Sequence, residues 1–334
     1  MRYLFRIGLL SVCLFGMTPA MAQQVINFAV PSPPRAAIVQ KFFIPWAKKV
    51  STDSAGSIAI QARTGRTLAS PFNVYDRVKA DVAQIGWGMQ MFMRRFPRST
   101  VALLPFEAST AEEATVALWR LYESGITAME YSEVKLLGLI VMPPTSLHMK
   151  SRPIKSLEAI KGMKIAAATR TQAGLVSRLG GAPISLPLPA MYQGLNRGMI
   201  DGVIMVWTAF MPFKLFEVTK HHYDVPLGAT SGMVFMTKKS YANLPAAGRR
   251  AIDANSGLKF SKRFGKFMDG LNRGSRNAIQ RMPGHKFAEM PPAEVANWKI
   301  KMKSVVEQWK KETVDGPRVL EAWRSELLKI RKNK

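Results

Sequence analysis

The sequence predicts an α/β fold of two domains, and three observations lead to this prediction. Strand and helix patterns alternate on a short period between Pro153 and Trp207, and such a β-α-β-α-β succession is typical of a parallel sheet with helices packed on it. The chain has 334 residues; 312 remain when residues 1–22 are set aside, and that length suits two domains. A late strand pattern at Met233–Thr237 predicts a return of the chain to the first domain.

The N-terminus has the pattern of a signal peptide. Arg2 and Arg6 supply a positive start, and Ile7–Phe15 is an apolar run too short to span a bilayer. Ala20-Met21-Ala22 then matches a small-residue cleavage site. The pattern predicts that residues 1–22 are removed on export to the periplasm; a retained membrane anchor is the alternative.

Composition narrows the possible partners. The only cysteine, Cys13, falls inside the predicted signal peptide, so the mature chain offers no disulfide and no thiol chemistry. The chain has 48 Lys and Arg residues against 22 Asp and Glu residues, a formal net charge of +26, or +24 without Arg2 and Arg6. An exported protein meets no nucleic acid, so this excess favours an anionic lipid, an acidic partner or an anionic solute. A solvated basic surface is the alternative.

The central stretch divides into five elements. Apolar runs predict buried strands, and apolar residues at helical spacing, with prolines at the start and glycines at the end, predict the helices between them. The elements are a strand at Met163–Ala168, a helix at Thr171–Leu179, a strand at Ala182–Leu186, a helix from Pro187 to Gly198 and a strand at Ile200–Val206. Ligands of such sheets sit outside the carboxyl ends of the strands. Those ends are Ala167–Arg170, Leu186–Leu188 and Met205–Trp207.

The flanking regions follow the same two periodicities. Strands are predicted at Gln24–Val30, Ile58–Ala62, Ala83–Met89, Val134–Val141 and Ser146–Lys150, and helices at Arg35–Val50, Phe72–Ala80, Ala111–Gly125 and Phe210–Val218. Pro245–Met282 is one long helical pattern, although its interior glycines count against an unbroken helix. An amphipathic helix is predicted after Pro291.

Two segments of the central stretch carry a family resemblance. They read RPIKSLEAIKGMKI and GGAPISLPLPAMYQGLNRGMIDG, and the second ends in Ile200-Asp201-Gly202. Their order and spacing resemble the second lobe of the solute-binding proteins of tripartite ATP-independent periplasmic (TRAP) transporters. The resemblance extends through Phe96–Ala108 and Leu215–Leu227 to most of the mature chain.

The resemblance implies a two-lobed, periplasmic-binding-protein-like fold. Each lobe would hold a mixed β-sheet flanked by helices, and a long helix would bridge the lobes. The implied division is 23–144 plus 230–270 for lobe I and 145–229 plus 271–325 for lobe II. The implied function is that of a monomeric receptor, without cofactor, that captures a small organic anion in the interlobe cleft and delivers it to TRAP permease subunits.

The sequence leaves two other functions open, namely a periplasmic sensor that presents solute to a membrane kinase and a periplasmic enzyme. No catalytic motif supports the enzyme: the four histidines form no H-E-x-x-H, and neither G-x-S-x-G nor a P-loop occurs. Without a cysteine, a metal site is not expected either. The pair His221-His222 is interpreted as part of a surface loop.

The chain departs from the family where the ligand carboxylate would be held. Family members place an arginine just after the G-x-K-I run, and a guanidinium suits a carboxylate because it donates two parallel hydrogen bonds. Ala166 occupies that position here, and Met205 replaces the family's pocket asparagine. Arg170, at the end of the same strand, is the candidate replacement, with Thr169 and Thr171 as hydroxyl donors; a surface arginine at a helix start is the alternative.

Apolar residues complete the predicted pocket. Trp207 is the candidate aromatic wall, and Trp87 and Met89 are candidates for an apolar wall, with core packing as the alternative in each case. Further candidates are Met205, Phe72, Tyr192 and His148. The missing arginine together with these side chains favours a relatively apolar or aromatic acid over a C4-dicarboxylate.

Overall fold

The structure is a computed structural model that describes residues 23–93, 95–154 and 156–333. The predicted signal peptide, including Cys13, lies outside the described residues.

The chain builds the first lobe, crosses to the second, and returns. The first part contains β1 (Gln24–Val30), α1 (Ile44–Asp53), β2 (Ile58–Thr64), α2 (Val74–Lys79), β3 (Ile85–Met89), α3 (Ala111–Glu123) and β4 (Val134–Val141). The second contains β5 (Ser146–Met149), β6 (Lys164–Ala167), α4 (Arg170–Arg178), β7 (Ala182–Ser185), α5 (Leu188–Asn196), β8 (Gly202–Met205), α6 (Leu215–Val218) and β9 (His221–Tyr223). The last contains β10 (Ser231–Thr237), α7 (Lys238–Ala242), α8 (Ala246–Ala254), α9 (Gly257–Gln280), β11 (Lys286–Phe287), α10 (Pro292–Glu312) and α11 (Gly316–Lys332).

Short helical turns complete the list of elements. A π-helix at Val39–Phe43 precedes α1, and 3-10 turns lie at Gln90–Phe92, Arg98–Leu103, Ala128–Tyr131, Leu157–Ile160 and Trp207–Ala209.

Each lobe holds one mixed sheet, as predicted. In lobe I the strand order is β2-β1-β3-β10-β4; β1 is parallel to β2 and β3, and β10 is antiparallel to β3 and β4. In lobe II the order is β11-β9-β5-β8-β6-β7; β6 is parallel to β7 and β8, and β5 is antiparallel to β8 and β9. The predicted β-α-β-α-β unit is present as β6-α4-β7-α5-β8, and the predicted return strand is β10.

Two crossing segments, residues 142–145 and 225–230, join the lobes and bond to each other. The amide of Met142 donates to the carbonyl of Thr230 at 2.9 Å, and the amide of Thr145 donates to that of Gly228, also at 2.9 Å. The amide of Leu227 donates back to the carbonyl of Thr145 at 2.9 Å. The two connections therefore form one short paired ribbon between the sheets.

The long helical pattern is two helices and not one. α8 ends at Ala254. The carbonyl of its C-cap residue, Asn255, accepts a hydrogen bond from Trp46 Nε1 at 2.9 Å, and α9 begins at Gly257 with φ +75°. A left-handed residue cannot continue a right-handed helix, so the chain changes direction here.

α9 is the predicted bridging helix. It packs on lobe I from its start to its middle, where Asp269 accepts hydrogen bonds from the amides of Ala111 and Glu112 at 2.8 and 2.9 Å. Asp269 thereby satisfies donors at the start of α3 that the helix itself leaves unpaired. Near its other end, Ile279 is buried in a core of lobe II.

The C-terminal helices tie the lobes together further. Trp298 and Met302 of α10 lie in a core of lobe II, whereas Trp309 lies in a core of lobe I. α11 packs on lobe I through Leu320 and Trp323. The sequence-based division placed residues up to 325 with lobe II, but this last helix lies against lobe I.

Candidate functional site

The candidate site lies where the strands of each sheet end on the side that faces the crossing segments. This row of strand ends is called here the cleft edge of the sheet. In lobe II, β6, β8 and β9 point the same way because β5 is antiparallel to β8 and β9. Their carboxyl ends, at Ala167, Met205 and Tyr223, therefore share one edge, where ligands bind in sheets of this kind. In lobe I the corresponding ends are Val30 and Met89, on β1 and β3.

The exit of β6 is a capped helix start. Thr169 Oγ1 accepts a hydrogen bond from the amide of Gln172 at 3.0 Å, and Gln172 Oε1 accepts one from the amide of Ala168 at 3.0 Å. The amides of Arg170 and Thr171 have no acceptor within α4, because the first turn of a helix leaves such donors free. Thr169 and Thr171 are half-buried.

Arg170 is an exposed cation at this helix start. Its side chain has no hydrogen bond or ion pair within the part of the chain that the structure describes. Ala166, at the family's arginine position, is 0% exposed and packs in a core of lobe II. The family's carboxylate clamp therefore has no counterpart at position 166, and Arg170 is a cation at the same strand end that is free to meet a ligand.

The exit of β8 is apolar and closely packed. Met205 and Trp207 are buried, and Trp207 is 1% exposed. The Trp207 ring stacks on Phe287 with 5.2 Å between ring centroids, and its Nε1 donates to Asp224 Oδ1 at 2.8 Å. Trp207 thus lies beneath the sheet edge, inside a core of lobe II, where its partners fix its orientation.

Asp224 is a site residue that the sequence did not reveal. It directly follows β9 and gathers three donors: Trp207 Nε1, Ser146 Oγ at 3.4 Å, and Arg276 Nε at 2.5 Å on Asp224 Oδ2. Arg276 comes from the bridging helix α9, and its guanidinium lies 4.9 Å from the centroid of the Phe287 ring. This cluster fastens α9 to the cleft edge of lobe II, next to the crossing segment.

A chain of three histidines runs below the same edge. His148 Nε2 contacts the carbonyl oxygen of Met205 at 3.0 Å, and His148 Nδ1 contacts His222 Nδ1 at 3.1 Å. His222 Nε2 contacts His285 Nδ1 at 2.9 Å. The interpretation of His221-His222 as a surface loop pair is wrong for His222, which lies in β9 and is 1% exposed.

When the three histidines are neutral, the hydrogen bonds fix the tautomer of each one. A carbonyl only accepts, so His148 Nε2 carries the proton and His148 Nδ1 accepts. His222 Nδ1 is then the donor to His148, and His222 Nε2 accepts from His285 Nδ1. A proton added to His148 Nδ1 would face a donor. The arrangement therefore holds His148 neutral and keeps it bonded to the end of β8.

Burial lowers the pKa of these histidines. Desolvation lowers the pKa of His148 from 6.5 to about 4, against an opposing effect of its bond to Met205. Desolvation, followed by the neighbouring His148 and His285, lowers the pKa of His222 well below its ordinary value. Above pH 6.5, the ordinary pKa of histidine, both the folded and the unfolded chain keep such a histidine neutral, and the free energy of unfolding is unaffected. Below that pH only the unfolded chain takes up the proton, so the free energy of unfolding falls.

We therefore expect the free energy of unfolding to fall as pH is lowered from about 6.5 to about 4. Each histidine kept neutral contributes a slope of up to about 1.4 kcal/mol per pH unit. The measurement is urea unfolding across this pH range, for the wild type and for His148→Phe. The His148→Phe variant should show a shallower dependence. His221→Asn removes a more exposed histidine whose pKa burial also lowers, so it should flatten the slope less than His148→Phe does. Equal slopes for all three proteins would contradict this assignment.

The lobe I candidates are Trp87 and Met89 on β3 and Phe72 before α2. Trp87 is buried, and its Nε1 donates to Ser32 Oγ at 3.2 Å, which ties the end of β3 to the loop after β1. Met89 is half-buried at the strand end. Phe72 is 65% exposed and packs on Phe92 with 4.8 Å between ring centroids.

Tyr192 serves a local contact in lobe II. Its hydroxyl donates to Glu217 Oε2 at 2.8 Å, which joins α5 to α6. This hydrogen bond to a carboxylate raises the pKa of Tyr192. The structure thus brings Thr169, Arg170, Met205, Trp207 and His148 to one edge of lobe II and leaves Tyr192 on its helical layer.

The described residues also limit the chemistry of the site. Within residues 23–93, 95–154 and 156–333, no group of three or more His, Cys, Asp or Glu side chains is placed to hold a metal ion. Over the same ranges, no helix combines the length and apolar character needed to cross a bilayer.

Comparison with known proteins identifies the class. A model of the family described as bacterial extracellular solute-binding protein, family 7, matches residues 31–312. The chain belongs to this family, that of the TRAP solute-binding proteins, as the sequence resemblance indicated. The members it resembles are solute-binding receptors and not enzymes.

Similar individual proteins cover nearly the whole chain. The outer membrane transporter protein TsaT of Comamonas testosteroni is 25% identical over 96% of this chain and 98% of its own length. A marine metagenome TRAP solute-binding protein specific for aromatic acid ligands, solved with 3-hydroxybenzoate, is 27% identical with a TM-score of 0.86; the match covers 92% of this chain and 98% of that one. A TRAP solute-binding protein from Rhodoferax ferrireducens, solved with copurified benzoate, is 29% identical with a TM-score of 0.85 over the same shares.

Proposed function

We propose that this chain is the extracytoplasmic receptor of a TRAP-type transporter and that its solute is an aromatic carboxylic acid. The receptor takes the acid between its two lobes, closes around it, and presents it to membrane permease subunits. The observation that carries the proposal is the shared fold with two receptors that were solved holding benzoate and 3-hydroxybenzoate, each over 92% of this chain.

The composition of the sheet edge supports an aromatic acid over an aliphatic diacid. Two carboxylates would need two cationic or polar anchors in a poorly hydrated cleft. Here Ala166 and Met205 stand where the family has its arginine and asparagine, and Met89 and Trp87 line the opposite strand end. Such an edge offers apolar contact for a ring, and Arg170, an exposed cation at the end of β6, for one carboxylate.

We expect ligand-free protein to bind benzoate and 3-hydroxybenzoate at least about tenfold more tightly than succinate, a difference of about 1.4 kcal/mol. Calorimetric titration measures this directly, with protein freed of copurified ligand by unfolding and refolding. Equal or tighter binding of succinate would overturn the aromatic assignment. Failure of every acid to bind, with a normal unfolding transition, would overturn the class of solute as a whole.

Closure can be tested with the same samples. A ligand drives closure only through its higher affinity for the closed state. X-ray scattering should therefore show a smaller radius of gyration at saturating benzoate than in free protein. A radius that is unchanged while calorimetry shows saturation would contradict a hinge mechanism and leave the binding result intact.

A further inference from the structure

The bridging helix α9 carries a line of cations on its outer face. Lys259, Lys262, Arg263, Lys266 and Arg273 are all exposed. At about 100° per residue these five positions fall within an arc of about 100°, and at 1.5 Å per residue they extend over about 21 Å. They are called here the α9 basic stripe.

Little acidic charge balances the stripe within the described chain. Asp269 is the only acidic residue of α9. Its carboxylate accepts hydrogen bonds from the amides of Ala111 and Glu112, and it also attracts Arg273, four residues further along the helix. Asp53, near Lys259, is already bonded to Lys49 and Asn255. Lys262, Arg263 and Lys266 have no ion pair or hydrogen bond among the described residues; Arg263 rests on the ring of Phe42, 5.2 Å from its centroid.

We propose that the α9 basic stripe is a docking surface for an anionic phospholipid membrane. Five cations on the exposed face of one helix suit a broad negative surface, and each lysine or arginine near such a surface adds roughly 1 kcal/mol of attraction. The mature net charge of +24 adds a long-range attraction of the same sign.

The composition of the surface favours lipid over a protein partner. Protein interfaces obtain most of their binding energy from buried aromatic, methionine and arginine anchors and are depleted of lysine. The stripe is mostly lysine, and none of the large exposed apolar residues of the described chain lies on α9. Binding to membrane would hold the receptor in the plane of its permease, and so raise its local concentration there.

The test uses three exposed stripe residues and a matched control. The stripe variant carries Lys262→Gln, Lys266→Gln and Arg273→Gln; the control variant carries Lys161→Gln, Arg197→Gln and Lys239→Gln, which are exposed, without a side-chain partner in the described chain, and spread over both lobes. Both variants lose three positive charges. Co-sedimentation with vesicles of phosphatidylglycerol mixed with phosphatidylcholine, or of phosphatidylcholine alone, measures the affinity.

Wild type should bind the phosphatidylglycerol vesicles and not pure phosphatidylcholine, and should dissociate at ~1 M salt, where the screening length is about 3 Å. The stripe variant should bind about 100-fold more weakly, and the control variant within about threefold of wild type. An equal loss of vesicle affinity in both variants would show that net charge alone drives binding and would overturn the proposed docking surface. The proposal would also be overturned if the wild type did not bind the vesicles. It would be overturned too if the stripe variant bound vesicles normally and lost only its binding to reconstituted permease. Unchanged thermal unfolding of both variants confirms that they are folded.

Discussion

Gly228→Ala is expected to lower the free energy of unfolding by about 3–5 kcal/mol. Gly228 lies in the second crossing segment with φ +85°, a conformation that costs an L-residue about 1–2 kcal/mol. A Cβ added there would lie 2.1 Å from the carbonyl oxygen of Leu103 and 2.7 Å from its carbonyl carbon. Backbone atoms cannot rotate away like a side chain, so the crossing segment and the turn that holds Leu103 must move apart. This costs about 1–3 kcal/mol more.

Gly284→Ala separates the two contributions. Gly284 has a similar φ of +79°, but a Cβ built on it meets no atom within 4 Å. This control should therefore lose only the conformational part, about 1–2 kcal/mol. Urea unfolding of both variants gives the comparison. A loss in Gly228→Ala no larger than that in Gly284→Ala would show that the close approach to Leu103 relaxes freely.

Arg170→Ala is expected to weaken benzoate binding by about 30-fold to 1,000-fold, corresponding to about 2–4 kcal/mol. This expectation rests on the proposed function. Arg170 is the exposed first residue of α4, at the carboxyl end of β6, with no side-chain partner in the described chain. If it supplies the charge-assisted hydrogen bond to the ligand carboxylate, truncation leaves that carboxylate under-satisfied in a closed cleft.

Arg197→Ala is the matched control for charge. Arg197 is also an exposed arginine of lobe II, but it caps the end of α5 instead of standing at a strand exit. Calorimetry of both variants should show normal benzoate affinity for Arg197→Ala. Wild-type affinity in a folded Arg170→Ala would place the anchor elsewhere, first at Arg276, whose guanidinium reaches the same edge of lobe II through Asp224.

Local patterns were sufficient for most of the fold. The predicted bounds of β1 and β4 agree with the structure, and the central β-α-β-α-β unit differs only by one or two residues at most of its ends. Each of these elements contains its own apolar run or helical spacing of apolar residues, and prolines or glycines mark its ends. The break at Gly257 has such a signal too, since glycines in the long pattern pointed against one continuous helix.

Other elements were missed for different reasons. β9 has three residues, too short for any period, and its pairing with β5 and β11 comes from distant parts of the chain. α11 carries a readable signal in Val319, Leu320, Trp323 and Leu327, which lie on one buried face, but it was not predicted. The predicted helix Phe210–Val218 is helical only from Leu215, after a left-handed Lys214.

The candidate site was predictable in position but not in the state of its side chains. The strand ends named from the sequence do meet at one edge, because parallel strands dictate it. Trp207, however, is covered by Asp224 and Phe287, which lie 17 and 80 positions further along the chain. The histidine chain joins positions 74 and 63 apart, and no local motif reveals such contacts.

In the part of the chain that the structure describes, four spans connect the lobes, namely the two segments of the paired ribbon and the helices α9 and α10. The two lobes therefore cannot rotate freely about a single hinge. Any change in the angle between them must deform all four spans together. Two of them are α-helices, which resist bending, so the cleft has a resting aperture and a restoring force about it. The work of leaving that aperture is subtracted from the binding energy of the solute. Stiffening α9 or α10 would therefore change affinity and release rate without altering any residue that touches the ligand.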